Sequence, residues 1–150
     1  MNSVRERILR EVAARLSSAI TPIPVLRPPT QPITRDASPA LLLLIEGDSI
    51  AAHANHLVDR VMSVRLTVIA RGAAAIDVAD QALVKAHAAL LADPNLAGLA
   101  IAVREIDCEW DAEDADAGAV ALPARYEIRY RTHAIDLTKT VIPSRFTNGQ

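Results

Sequence analysis

Residues 61–71 read VMSVRLTVIAR, and their side chains alternate. Met62, Val64, Leu66, Val68 and Ala70 fall on one side. Ser63, Arg65, Thr67 and Arg71 fall on the other, with Val61 and Ile69 as its apolar members. A period of two sustained this long marks a strand with one buried face. Gly72 ends the pattern and the period changes. Ile76, Ala79, Leu83, Ala86 and Leu90 then recur at three to four residues, one face of an amphipathic helix expected over Ala74–Ala92. This strand–helix unit is expected at the middle of the core, with Leu66 and Leu83 both buried. Its groups are aliphatic, with no buried acid and no nucleophile, which points to a function of shape and surface rather than of a catalytic cleft.

On the N-terminal side, Ser3–Ile20 reads as a first helix. Val4, Ile8, Val12, Leu16 and Ile20 form a stripe, and Ser3 with Glu6 has the spacing of a capping box. Arg5, Arg7, Arg10 and Arg15 lie off the stripe, as a solvated basic face or a contact for an acidic neighbour. Residues 21–39 hold six of the nine prolines and are expected to be extended and stiff, with Val25–Arg27 pairing briefly at a sheet edge. The run Ala40–Glu46 suits a buried strand, onto which Met62–Ala70 returns antiparallel. Residues 49–59 between them are expected to form a loop or short helical turn.

On the C-terminal side, Asp93 before Pro94 ends the second helix, since the residue before proline is driven out of helical space. His87 is expected to be exposed. Leu99–Trp110 reads as a third, central strand with Cys108 at the edge of the core. Ala119–Thr132 reads as a fourth strand, in which Tyr126, Ile128, Tyr130 and Thr132 alternate with Arg125, Glu127, Arg129 and Arg131. That is the pattern of a half-buried antiparallel strand, and its charged outer face also suits a sheet edge. Residues 133–150 have little periodicity and are expected to be loose.

The fold class is therefore α+β: a mainly antiparallel four-stranded sheet with two helices on one face, in the order α-β-β-α-β-β. The 150 residues make one domain over 1–138, including the proline-rich segment 21–39, followed by a flexible tail over 139–150. Half the residues are hydrophobic, enough for a substantial core, and 23% are charged. A net charge of −2 and few aromatics argue against general nucleic-acid binding. The single cysteine cannot close an intramolecular disulfide. The opening MNSVRERILRE lacks the apolar run of a signal peptide, and Ala40–Ile45 is too short to span a bilayer, so a cytoplasmic protein, or one assembled there, is expected.

Chemistry-bearing motifs are weak. His53 and His56 have an H-x-x-H spacing with no third ligand nearby. Residues 111–118, DAEDADAG, follow Asp107 and Glu109, but lack the glycine and the closing glutamate of a calcium loop. No nucleophile–base pair, metal set or cofactor fingerprint is found, so no enzyme activity, cofactor or metal is expected. Two surfaces stand out as candidates for interaction: the acids Glu109, Asp111, Glu113, Asp114 and Asp116, and the arginines Arg125, Arg129 and Arg131.

The order of these pieces resembles the tail terminators of long-tailed phages and prophages, the minor tail protein U type. The matching pieces are VRERILREVAARL (4–16), P-x-P-V (22–25), DRVMSVRLTV (59–68), AHAALLADPNLAGL (86–99), IDCEWDAEDAD (106–116) and RYEIRYRT (125–132). The resemblance implies a structural virion protein of the phage tail, made in the host bacterial cytoplasm. It would form a hexameric ring on the last ring of tail-tube protein, stop tube growth, and present a surface to the head–tail connector, with DNA passing through. Its partners would be copies of itself, the tube protein and the connector. On that reading the acidic residues face the lumen or rim, where they repel DNA, or else form a solvated hairpin tip. The arginines would make subunit or tube contacts. Alternatives are a head–tail joining or other minor tail protein, a tail-tube subunit, which should carry long stacking hairpins, and a small ligand- or peptide-binding module.

Overall fold

The computed structural model describes residues 1–29, 38–109 and 119–141. Helix α1 covers Val4–Ile20 and α2 covers Ala75–Leu91. The strands are β1 (Val25–Leu26), β2 (Ala40–Ala54), β3 (Leu57–Arg71), β4 (Ala102–Cys108) and β5 (Ala119–His133). They form one open sheet in the order β1-β2-β3-β5-β4. All pairings are antiparallel except β1 on β2, where Val25 and Leu26 run parallel to Leu41 and Leu42. The α+β class stands, but the sheet is five-stranded and mixed rather than four-stranded and antiparallel. The brief pairing expected of Val25–Arg27 supplies the fifth strand.

The alternation in β3 sets the core. Met62, Val64, Leu66, Val68 and Ala70 are buried, in one cluster with Val4, Ile8, Val12 and Leu16 of α1 and with Tyr126, Ile128 and Tyr130 of β5. The stripe on α2 is rotated from the expected one. Ala75, Ala79, Ala82, Ala86 and Leu90 are buried, Leu83 only flanks the cluster, and Ile76 is 59% exposed. The face of small side chains, rather than the face richest in large ones, meets the sheet. At α1, Ser3 Oγ accepts from the Glu6 amide at 3.1 Å, one half of the expected capping box. The Glu6 carboxylate is taken instead by Arg27, at 2.8 and 2.9 Å, and by Arg10 at 3.0 Å.

Residues 49–59 are not a loop. β2 and β3 run to Ala54 and Leu57, joined across a two-residue turn at Asn55 and His56. Asn55 adopts φ 58°, the left-handed geometry that tight hairpin turns require and asparagine tolerates. Two register shifts in β2, between Ile45 and Gly47 and between Ile50 and Ala52, keep it paired with β3 along its length.

The positions of the last two strands are exchanged relative to expectation. β5 lies between β3 and β4, and β4 is the edge. Of β4 only Val103 is buried, and Cys108 is exposed. The chain after β5 is tied back: Val4 N donates to Leu137 O at 2.8 Å, His133 N to Lys139 O at 3.0 Å, and Thr140 Oγ1 to Arg131 O at 2.7 Å. Residues 133–140, for which the sequence shows no periodicity, are thus hydrogen-bonded to β5 and α1, and residues 142–150 lie outside the described ones.

Candidate interaction surface

Both helices pack on one face of the sheet, so the side chains of opposite parity in β3, β5 and β4 form a second, helix-free face. Cross-strand register places its charges in rows. Asp59 faces Arg131, Val61 faces Arg129 and through it Ala102, Ser63 faces Glu127 and through it Arg104, and Arg65 faces Arg125 and through it Asp107. Opposite charges on neighbouring strands attract and like charges repel. Arg131 Nε reaches Asp59 Oδ1 at 2.5 Å, Arg104 Nε reaches Glu127 Oε2 at 2.8 Å, and Arg125 grips both oxygens of Asp107. The like pair Arg65–Arg125 is relieved on both sides, by Glu46 at 3.6 Å from Arg65 and by Asp107. The Arg131 and Arg125 guanidiniums hold the Asp59 and Asp107 carboxyls below their ordinary range.

Two of the three predicted arginines thus spend their charge within the sheet. Arg129 does not. It is exposed, faces no acid across either neighbouring strand, and has no ion-pair partner within 4.0 Å among the described residues. Of the predicted acids, Glu109 is exposed just past the end of β4, and Asp111, Glu113, Asp114 and Asp116 lie outside the described residues.

Two polar clusters on the helix-bearing face escaped the sequence reading. Asp48, at the base of the hairpin, accepts from the Tyr130 hydroxyl and from Arg5 at 3.2 Å, joining β2, β5 and α1, while its Oδ1 is buried without a partner. His87, expected to be exposed, is half-buried: its Nδ1 lies 2.8 Å from the Tyr126 hydroxyl and 3.5 Å from Glu105. Burial first, and the neighbouring Glu105 second, push the Tyr126 phenol well above its ordinary range. Alternation alone marked both tyrosines as inward-facing, but nothing local marks their partners, which come from 39 and 82 residues away. His53 and His56 sit exposed at the hairpin end, and among the described residues no group of three or more His, Cys, Asp or Glu is placed to hold a metal.

No family model matches the sequence, and no curated protein matches it. Among solved structures, one chain described as "Virion of native gene transfer agent (GTA) particle" shares the fold. The alignment covers 85% of this chain and 90% of that one, with a TM-score of 0.52 and 14% identity. At that identity the likeness is one of fold.

Proposed function

We propose that this chain is a structural virion protein of a tailed particle, and that it caps the tail tube as a ring, ends tube polymerisation and offers the surface that joins the head connector. The observation that carries the virion part is the shared fold with a chain of a gene transfer agent virion over nearly the whole of both molecules. The capping part rests on the ordered resemblance of the sequence pieces to tail terminators. The surface agrees in kind: a sheet face laced with ion pairs, a long hairpin, and exposed aliphatic groups at Ile45, Ile50, Leu137 and Val141 suit contacts with other proteins. The partners are then copies of itself, the tube protein and the connector.

The test is co-assembly with the tail-tube protein it would cap, viewed by electron microscopy. Tubes that stop at a uniform cap when this protein is added support the reading. Tubes that grow to the same lengths with and without it refute the capping role.

One observation favours a second reading. The 15-residue strands β2 and β3 give the molecule the long hairpin that a tube subunit uses for stacking. On that reading the purified protein alone polymerises into tubes.

A further inference from the structure

We infer that the hairpin end of the helix-bearing face docks an acidic, partly apolar surface of an unlike protein. Arg5, Arg7, Arg60 and Lys139 gather there. Arg5, at the start of α1, bonds Asp48 at 3.2 Å, and Asp48 also accepts from the Tyr130 hydroxyl. Arg60 on β3 lies opposite Tyr130 in the ladder, and the charges of Arg5 and Arg60 both reach the Tyr130 hydroxyl. The segment after β5 closes the group: Val4 N donates to Leu137 O, Arg7 donates to Thr138 O, and Lys139 follows.

The cations of this group outweigh the acids beside them. Among the described residues, Arg5 has Asp48 as its ion-pair partner, and Lys139 has Asp136 at 4.0 Å. Arg60 Nε donates to Thr132 Oγ1 at 3.1 Å, and Arg7 to a backbone carbonyl, and these neutral acceptors leave both charges uncompensated. The nearest other acids in the chain are taken: Glu6 by Arg27 and Arg10, and Asp59, on the opposite face, by Arg131. Further along α1, Arg15 is met by Glu11 and Asp93. The basic face of α1 thus narrows to its first turn and to the hairpin beneath it.

Apolar side chains lie among these cations. Ile50, opposite Arg60 in the ladder, and Leu137 are both exposed. That mixture selects the partner. A nucleic acid presents rows of phosphate with nothing apolar for Ile50 and Leu137 to meet. An anionic lipid surface draws on cations free of carboxylates, whereas Asp48 and Asp136 sit within this group. A protein surface sets carboxylates at points with apolar groups between them and matches both features. A second copy has few acids to offer, since Glu6, Glu11, Asp59, Asp93, Asp107 and Glu127 are each held by an arginine of their own chain. The inference rests on the proposed function and deepens it, by naming the chemistry of the neighbour that meets this end.

Fluorescence anisotropy with a labelled random copolymer of glutamate and tyrosine, on the full-length chain, tests it. The expected result is binding that weakens as salt rises and that is tighter than binding to duplex DNA or to vesicles containing phosphatidylglycerol. Arg60→Gln with Lys139→Gln weakens it about fivefold, and Lys139→Gln alone about twofold. Lys139 lies outside the strands, so the single variant keeps the test open if the pair disturbs folding. Arg71→Gln with Lys85→Gln, the same change of charge at the far end of β3 and on α2, leaves binding as it is. The inference is overturned if the copolymer does not bind, if the distant pair weakens binding as much, or if DNA or vesicles bind more tightly. It is also overturned if the wild type self-associates in sedimentation and Arg60→Gln with Lys139→Gln abolishes that, which would make the occupant a second copy. Copolymer binding at this end in a protein that does not cap tubes refutes the capping role alone, and capping without such binding refutes this inference alone.

Discussion

Truncating Leu66 to alanine probes the core where it is best defined. Leu66 is fully buried on β3, with Leu43 of β2 opposite it on one side and Ala124 of β5 on the other. Both neighbours lie in the core cluster, and the antiparallel ladders on both sides hold the backbone in register. The strand cannot move in to fill the space, so the upper part of the usual range applies, about 3–5 kcal/mol. At about 2–4 °C per kcal/mol for a chain of this size, the melting temperature falls by about 6–20 °C. Leu83→Ala, on the flank of the cluster, costs about 1–2 kcal/mol because part of its surface already meets water. Ile76→Ala, at 59% exposure, stays within about 0.5 kcal/mol. Thermal melts of the three variants under one condition give the ranking Leu66, Leu83, Ile76. An Ile76 variant that melts as low as the Leu66 variant would show that α2 packs on the face read from periodicity rather than on its alanine face.

Three further outcomes are expected. Arg27 chiefly, with Arg10, lowers the Glu6 carboxyl from 4.5 to about 2, so its stabilisation is present above about pH 4.5 and fades as the pH falls toward 2. After allowance for partial exposure, Glu6→Gln lowers stability by about 1 kcal/mol at neutral pH, and a gap from wild type that does not close between pH 5 and 2 in melting curves counts against the Arg27 contact. Tyr130→Phe withdraws a hydrogen bond from Asp48, whose other oxygen is already without a partner; a loss of about 1–2 kcal/mol by denaturant titration is expected, and no loss would mean the hydroxyl is met by water. Asn55→Val places a β-branched residue at φ 58° and costs about 1–2 kcal/mol, while Asn55→Gly is nearly neutral; equal melts for the two would mean the turn is not left-handed.

Periodicity revealed the elements whose two faces differ strongly. β3 and β5 alternate cleanly because one face meets the helices and the other stays charged, and α1 keeps its stripe because all the buried positions on it carry aliphatic groups. The misread elements are those whose local pattern carries no such contrast. The outer half of β2 is exposed on both faces, so no hydrophobic alternation exists to be read from Ser49 to Ala54; the ladder with β3 makes it a strand. The exchange of β4 and β5 follows from pairing, which is a property of two segments and not of either alone. On the helix-free face, sequence identified the arginines but could not separate Arg125 and Arg131, which are matched by Asp107 and Asp59, from Arg129, which is not. The rotation of α2 was hidden because alanine satisfies a close helix–sheet contact as well as a larger residue satisfies a looser one.

The hairpin bears directly on which virion role to prefer. A tube subunit needs two complementary ends, because each ring must both stack on the last and receive the next. A cap needs one matching end and one that refuses further tube. Exposed aliphatic residues occur at both ends of this molecule. Ile50 lies on the outer half of β2, and Leu137 and Val141 belong to the segment that follows β5, which is tied to His56 and to the start of α1, so these lie toward the hairpin end. The opposite end, where β3 passes through Gly72 into α2, presents Arg71 and Asp77, with Ile76 and Val78 on the first turn of the helix. Each end thus presents exposed aliphatic groups beside charge, and the two roles differ in whether those ends fit one another. Incubating the purified protein alone at high concentration separates the cases: tubes in the microscope would establish a self-stacking subunit, whereas rings or smaller species that never elongate would refute one.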